Sequence, residues 1–313
     1  MRVNPNFVPD IQNALNQSQA QLNTALEDVA TGKSVNQPSD NPISSAALVQ
    51  NQIETADVDQ FTQNVSSASS QVEAASSALS NVVSLLTKAV SDGTQGANGT
   101  TSASGLQSLV QDVQDVLTSV VSQANATFQG SFLFGGTDTA TTPFTPNGSS
   151  PTGFTYNGNP NQNSVAIGDN QSIQVNIPGD QIFDNSSGSV LGALNGLVTA
   201  LQTAAAAAQG GGTVSQADTQ AISTATANVN TALNVVSQQQ EFYGNVDSQL
   251  TSQTTFLQQE TVSLTSQQNT LEGVNLAQAA TNLTQAETDN SAALAAAAKV
   301  MPNTLLNFLS PPN

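Results

Sequence analysis

The sequence predicts a mainly α-helical protein: a long antiparallel helical bundle or coiled-coil rod formed by the N- and C-terminal halves, with a small β-rich inserted domain. Apolar residues recur every seven positions in the C-terminal half and alternate every three and four positions in the N-terminal half. Both patterns stop between residues 130 and 189, where Gly, Pro, Asn and Thr become frequent. Because an ideal helix has 3.6 residues per turn, a strict seven-residue stripe must face a partner helix that winds with it.

The heptad stripe in the C-terminal half predicts one long helix whose apolar line forms the core of the rod. Matching stripes in the N-terminal half, over 65–89 and 106–120, are the candidate partners. An ordinary helical bundle with a long core is the alternative, although helices beyond about 25 residues without internal caps are uncommon in globular folds. The predicted rod core consists of Ile222, Val229, Val236, Tyr243, Leu250, Leu257, Leu264 and Leu271.

Turn-forming residues set the predicted boundaries of the first two helices. The first helix covers about 11–30 and ends at Gly32, a residue suited to a helix C-cap. The second begins with Pro42 at its first position, after Asp40 or Asn41 as the N-cap. Its end is predicted near residue 90, where a Gly-rich stretch begins, and a third helix is predicted over 106–129.

Short β-prone runs fill the region after the third helix. Residues 172–177 alternate apolar and polar side chains, which predicts a strand with one buried face, and residues 168–170 before it predict a hairpin turn. Ile182 and Phe183 form another β-prone run. A helix near 190–208 follows, and a Gly-rich break then precedes the heptad helix.

Both ends of the chain carry amphipathic helices with matching apolar seams. These seams are rich in Ala, Ser and Asn, so an isolated pair of them buries little apolar area and should be marginally stable. We therefore expect neighbouring subunits to complete the core. The seam residues predicted to form this assembly interface are Ile11, Leu15, Leu22, Val29, Ala279, Leu283, Ala286, Asn290, Ala297 and Val300.

Composition excludes most catalytic chemistry. The chain has no His, Cys or Trp, which removes imidazole bases, thiolate nucleophiles, Cys/His zinc sites and Ser-His-Asp triads. Four basic residues stand against 22 acidic ones, and the net charge of −18 repels nucleic acid and anionic lipid. We predict a protein that is not an enzyme, with no catalytic, cofactor-binding or metal-binding residue, no nucleic-acid partner and no membrane insertion. The N-terminus also lacks the apolar run of a cleaved secretory signal.

Several local motifs resemble the bacterial flagellin superfamily across nearly the whole chain. They are the opening Met-Arg-Val, the junction from Ala-Thr-Gly-Lys at 30–33 to Ser-Asp-Asn-Pro at 39–42, Phe-Leu-Phe-Gly-Gly-Thr at 132–137, and the closing Leu-Leu-Asn-Phe-Leu at 305–309. The stretch at 133–137 and the β-rich insert favour the members that join hook to filament. The ending at 301–306 is similar to that of flagellin itself, so the filament subunit remains an alternative.

The resemblance implies a structural protein of the extracellular flagellum, exported through the flagellar type III apparatus without signal cleavage. The implied partners are further copies of the chain in a helical ring or polymer, neighbouring hook-associated protein and flagellin subunits, and a cytoplasmic export chaperone at the C-terminal region. A secreted adhesin or binding rod is a third hypothesis. The expected domains are a terminal coiled coil of 1–33 plus 275–313, a helical core of 34–137 plus 190–274, and the outer insert 138–189.

Overall fold

The computed structural model describes residues 7–150, 152–185, 188–209 and 214–309, without the side chains of residues 7, 8 and 300–309. In these ranges the fold is mainly helical, with a small region of short β-hairpins, which confirms the predicted class. The helices are α1 (Phe7–Thr31), α2 (Pro42–Gly96), α3 (Ala103–Ala124), α4 (Gly179–Phe183), α5 (Val190–Gln209), α6 (Gln216–Glu272) and α7 (Leu276–Leu309).

The chain folds into two compact units. Unit 1 consists of Met1–Val58 and Gln259–Asn313, and unit 2 is Asp59–Gln258. Helices α2 and α6 contribute residues to both units. These boundaries differ from the three domains expected from the sequence, and that division stays a prediction.

Unit 2 holds most of the buried apolar core. The α6 stripe is fully buried at Ile222, Val229, Val236, Tyr243 and Leu250, and Leu257 is 2% exposed. The α2 stripe that alternates by three and four is buried from Val65 to Ala89. Helix α3 buries its own stripe and packs against α5. The apolar faces of α2 and α6 therefore contribute to one core in unit 2, as the periodicity predicts.

Helix α2 runs to Gly96, beyond the end predicted near residue 90. A side chain at Gly93 would clash with Thr226 and Leu197, and one at Gly96 would clash with Leu201. These glycines therefore permit close helix packing instead of ending the helix, and tertiary contact outweighs their low intrinsic propensity.

Helix α3 ends at Ala124, earlier than the predicted residue 129. The side chain of Asn125 accepts a hydrogen bond from Phe144 N at 2.8 Å and donates one to Phe144 O at 2.9 Å. This residue thereby ties the helix end to the insert. The chain then turns through Gln129 and Gly130, whose φ angles of 50° and 83° fit a tight hairpin.

The β-rich region consists of three antiparallel two-stranded hairpins. The turn predicted at 168–170 is confirmed, with Asn170 in the left-handed region at φ 55°. The strand predicted over 172–177 ends at Gln174. Val175 N still donates to Asn163 O, but Asn163 N donates to the side chain of Asn176 instead of to a backbone carbonyl. The hairpins pair β1 (Thr127–Phe128) with β2 (Ser131–Phe132), β3 (Phe144–Pro146) with β4 (Phe154–Tyr156), and β5 (Ser164–Gly168) with β6 (Gln171–Gln174).

The β-prone pair Ile182 and Phe183 is helical, which corrects the prediction of a strand. Both residues lie in α4 and are fully buried, and the Phe183 ring contacts Phe134 and Phe144 at centroid distances of 5.4 and 5.5 Å. Two adjacent apolar residues do not define a hydrophobic period, so the sequence alone does not separate helix from strand here. Burial against these rings determines that Ile182 and Phe183 are helical.

Two features anchor the hairpins to the long helices within unit 2. The β5–β6 hairpin is bound through its carbonyls, because Asn64 donates to Ala166 O and Gln253 donates to Ile167 O. Deeper in the core, Ile177 N donates to the Tyr243 hydroxyl at 3.1 Å. The insert and the helices therefore share one core.

Helix α5 is long and apolar enough to cross a membrane by length and composition alone. Eight of its side chains are buried, and the helix packs against α3, while its Leu197 and Leu201 approach Gly93 and Gly96 of α2. This burial is typical of a core helix in a folded unit.

Candidate assembly interface

The predicted assembly seams of the chain ends face each other within unit 1. Helix α1 packs against α7. The seam of α1 is half-buried at Ile11, Leu15, Leu22 and Val29. On α7, Ala279, Ala286 and Ala297 are buried, and Leu283 and Asn290 are half-buried. The side chain of Val300 lies outside the described residues.

The remaining heptad residues of α6 lie in the same unit. Leu264 is buried, whereas Leu271 is half-buried. Six of the eight heptad residues belong to unit 2, and of the two in unit 1 only Leu271 is less than fully buried.

A short backbone clasp joins the residues that follow α1 to the turn between α6 and α7. Ser34 N donates to Glu272 O, and Val274 N donates to Gly32 O at 3.1 Å. The Lys33 ammonium lies 3.1 Å from the Glu272 carboxylate, whose side chain is 11% exposed. Gly32 has φ 71°, which suits the C-cap predicted there.

The linker after the clasp is held by its own side chains. Asp40 accepts hydrogen bonds from the backbone N–H groups of Asn36 and Gln37, at 3.0 and 2.8 Å. Asn41 accepts one from Ser44 N at 3.1 Å, which makes Asn41 the N-cap of α2. Pro42 then takes the first helical position, as predicted. The linker is thus a fixed connection into α2.

Buried polar atoms without hydrogen-bond partners are concentrated in unit 1. Within the described residues these atoms are Ser18 Oγ, Ser45 Oγ, Asn51 Oδ1 and Asn290 Oδ1, and all four belong to this unit. Most buried polar groups in folded proteins are hydrogen-bonded, because an unpaired one costs about 1–3 kcal/mol. Unit 1 therefore contains acceptors and donors that its own chain leaves unused.

Large exposed apolar side chains are concentrated in the same unit. Among the described residues only Phe256 belongs to unit 2. Single exposed apolar residues are ordinary on protein surfaces, but a cluster of them marks an interaction surface. The members in unit 1 are Leu26, Ile43, Val49, Ile53, Val262, Leu276 and Leu294, each at least 45% exposed.

Unit 2 satisfies its buried polar groups internally. Asn176, only 2% exposed, accepts from Asn163 N and donates to Gly136 O. Burial raises the pKa of the Tyr243 hydroxyl far above its ordinary value, although the hydrogen bond from Ile177 opposes the shift. Burial, followed by the nearby Asp180 carboxylate, also raises the pKa of Tyr156, to about 12. Among the described residues, the unpartnered buried polar atoms and all but one of the large exposed apolar side chains therefore lie in unit 1.

The described residues contain no group of three or more acidic side chains that could hold a metal ion. The best-defined surface charge cluster is Lys88, which lies 3.2 Å from Asp92 and 3.5 Å from Asp112. It links α2 to α3 on an exposed face, where such pairs contribute little to stability.

The chain matches two regions of one family. Residues 8–139 match the bacterial flagellin N-terminal helical region, and residues 226–309 match the bacterial flagellin C-terminal helical region. Together these matches cover most of the chain. The chain belongs to the bacterial flagellin family.

A curated protein matches about half of this chain. The chain is 28% identical over 169 residues to flagellar hook-associated protein 3 of Escherichia coli strain K12, a match that covers 54% of this chain and 52% of that protein. The chain thus spans about half the length of this curated relative.

Solved structures share the fold at low identity. Flagellar hook-associated protein 3 of Legionella pneumophila has a TM-score of 0.63 at 15% identity, over 71% of this chain and 98% of the other. The flagellar junction protein FlgL of the same species gives 0.59 at 14% identity, over 72% and 100%. FlgL of Bacillus cereus gives 0.54 at 20% identity, over 70% and 99%.

The sequence analysis did not single out three neighbouring residues of α2 whose burial is unusual. Asn51 is 3% exposed and donates to Leu264 O at 3.1 Å, and Val49 and Ile53 are exposed two residues to either side of it. The polar residue is buried and the apolar ones are exposed. Hydrophobic periodicity alone therefore assigns these three residues to the wrong faces. An Asn between two apolar residues at a spacing of two was the available signal.

Proposed function

We propose that this protein is the adaptor that joins the flagellar hook to the filament. The observation that carries the assembly role is the coincidence, in unit 1, of unpartnered buried polar atoms and exposed apolar side chains. Such a surface is stabilised only when a neighbouring molecule covers it. The likeness to hook-associated protein 3 of Escherichia coli supports the junction as the place of assembly.

The proposed partners are other copies of this chain, a neighbouring hook-associated protein and flagellin subunits. The seams of α1 and α7, together with the exposed residues around them, are the proposed contact region. We further propose that 1–33 and 275–313 act as one assembly domain, that 34–137 with 190–274 is the helical core and 138–189 the outer insert, and that an export chaperone binds near the C-terminal end. Export through the flagellar type III apparatus belongs to the same proposal.

Imaging of labelled flagella tests the proposal directly. An epitope placed in the exposed β3–β4 turn, at Gly148, should appear as one band at the base of the filament. The alternative function is the filament subunit itself, favoured by the flagellin-like ending at 301–306. Label along the whole filament would support that alternative and overturn the junction assignment.

A further inference from the structure

Four Asn-Gly pairs occur in the chain, at 98–99, 147–148, 157–158 and 195–196. In such a pair the backbone nitrogen of the glycine can attack the side-chain Cγ of the asparagine, because glycine carries no Cβ that would hinder the approach. The new N–Cγ bond closes a succinimide ring, the Cγ–Nδ2 bond breaks, and ammonia leaves with the proton taken from the glycine nitrogen. Water then opens one of the two imide C–N bonds and gives aspartate or isoaspartate. The reaction needs only water and a base, so the surroundings of each pair control its rate.

Asn98 and Gly99 lie in the exposed turn that connects α2 to α3. The Asn98 Oδ1 accepts two hydrogen bonds, from Thr100 N at 3.3 Å and from the Thr100 hydroxyl at 2.9 Å. Neither Asn98 Nδ2 nor Gly99 N has a hydrogen-bond partner among the described residues. A Cβ built on Gly99 would meet only Thr219, at 3.8 Å, so the turn leaves room for the ring. The attacking nitrogen and the leaving amide are therefore both unrestrained.

The two donors on Asn98 Oδ1 lie where the reaction develops charge. When Gly99 N attacks, negative charge moves onto this oxygen, and donors already in place stabilise it as an oxyanion hole does. The hydrogen bond from Thr100 N also closes a short ring that contains Gly99 N, which keeps the side chain of Asn98 beside the attacking atom. We infer that Asn98 is the residue of this chain that deamidates first in the folded protein. This modification is independent of the proposed assembly function and adds one negative charge to the α2–α3 turn of unit 2.

The second exposed pair, in the β3–β4 turn, is restrained at its leaving group. Asn147 donates from Nδ2 to the Thr155 hydroxyl at 2.7 Å. Its Oδ1 accepts one hydrogen bond, from Ser149 N at 3.1 Å. Asn147 thus has one donor fewer than Asn98 on the oxygen that becomes charged, and its amide must first leave Thr155.

The other two pairs are held by their surroundings. Asn157 donates from Nδ2 to the Thr145 hydroxyl at 3.0 Å. A Cβ built on Gly158 would lie 2.7 Å from Gly135 O, so the backbone there has little space to rearrange. Asn195 lies inside α5, and cyclisation requires rotation about a ψ angle that the helix fixes. Both sites should react only after local opening.

Peptide mapping of the full-length protein after incubation in mildly alkaline buffer tests this order. A protease that cuts after acidic residues places Asn98 in the peptide 93–112. Mass spectrometry scores the replacement of NH2 by OH at each of the four asparagines, and a protein isoaspartate methyltransferase with a labelled methyl donor detects the isoaspartate product. Asn98 should be converted first. Earlier conversion of any of the other three would overturn the inference.

Variants of Thr100 separate the oxyanion contact from simple exposure. Thr100→Val removes the hydroxyl donor with little change of shape, and it should slow the conversion of Asn98 about fivefold, as the loss of one ordinary hydrogen bond does. Thr100→Ser keeps the donor and should react at the rate of the parent, and the rate at Asn147 should be the same in all three proteins. An unchanged rate at Asn98 in Thr100→Val would overturn the inference.

Unfolding provides the control for local sequence. In urea the contacts of all four pairs are lost, so the lead of Asn98 over the other three asparagines should disappear. An equal lead in the unfolded chain would show that the neighbouring residue types alone set the order, and the inference would then be wrong.

Discussion

Matched leucine truncations in the two units provide the sharpest test of how stability is distributed. Leu250 in unit 2 is fully buried, and Leu294 in unit 1 is 48% exposed. Replacing Leu250 by Ala removes buried carbons and leaves a cavity, and such changes cost about 2–5 kcal/mol. The same change at Leu294 removes side-chain carbons that are about half in water, so at about 0.8 kcal/mol per buried methylene it should cost about 1 kcal/mol.

The chain offers a separate optical probe of unit 2. It has no Trp, and both of its tyrosines, Tyr156 and Tyr243, lie in that unit. Near-ultraviolet circular dichroism therefore reports the tertiary structure of unit 2, while the far-ultraviolet signal reports the helices of both units. With a urea slope of roughly 3 kcal/mol per molar, a loss of about 3 kcal/mol lowers the midpoint by about 1 M.

Leu250→Ala should shift the near-ultraviolet midpoint by about this amount, and Leu294→Ala should leave it unchanged. Leu294→Ala should instead reduce incorporation into flagella, since its exposed carbons are available to a neighbour. If the two variants shift the tyrosine transition equally, the two units unfold as one and the assignment of core and assembly surface is wrong.

Three further outcomes follow from unit 2 and the clasp. Tyr243→Phe leaves the Ile177 N–H unpaired in the core and should lower the free energy of unfolding by about 1–3 kcal/mol. Tyr156→Phe, at a half-buried site, should lower it by less. Equal urea midpoints for the two variants would contradict this expectation. The pKa of Tyr156 is raised to about 12, so the folded state prefers the neutral hydroxyl: stability is complete below the ordinary pKa near 10 and falls as the pH rises toward 12. A spectrophotometric tyrosine titration with its midpoint at 10 and an intact near-ultraviolet signal would refute the burial. Glu272→Gln removes the ion pair with Lys33 and should speed backbone hydrogen exchange at Ser34 and Val274, whereas unchanged exchange there would show that the backbone bonds hold the clasp alone.

Much of the helical fold could be predicted because hydrophobic period is a local property. The heptads of α6, the C-cap at Gly32 and the start of α2 at Pro42 all follow from residues close together in the sequence. The prediction fails where packing between distant parts of the chain determines the conformation. Gly93 and Gly96 look like helix breakers, yet they lie where other helices approach too closely for a side chain. Ile182 looks β-prone, yet its burial with aromatic rings places it in a helix.

The candidate site was predictable only in part, for a physical reason. Seam residues that pair within one chain repeat with the helix period and can be read from it. A surface that is covered only on assembly has no such signature. In the isolated chain its apolar residues face water and its polar residues face inward. Asn51 with Val49 and Ile53 shows this inversion on a single turn of α2. Among the described residues the unpartnered buried polar atoms all lie in unit 1, and we therefore propose this unit as the part of the molecule that assembly completes.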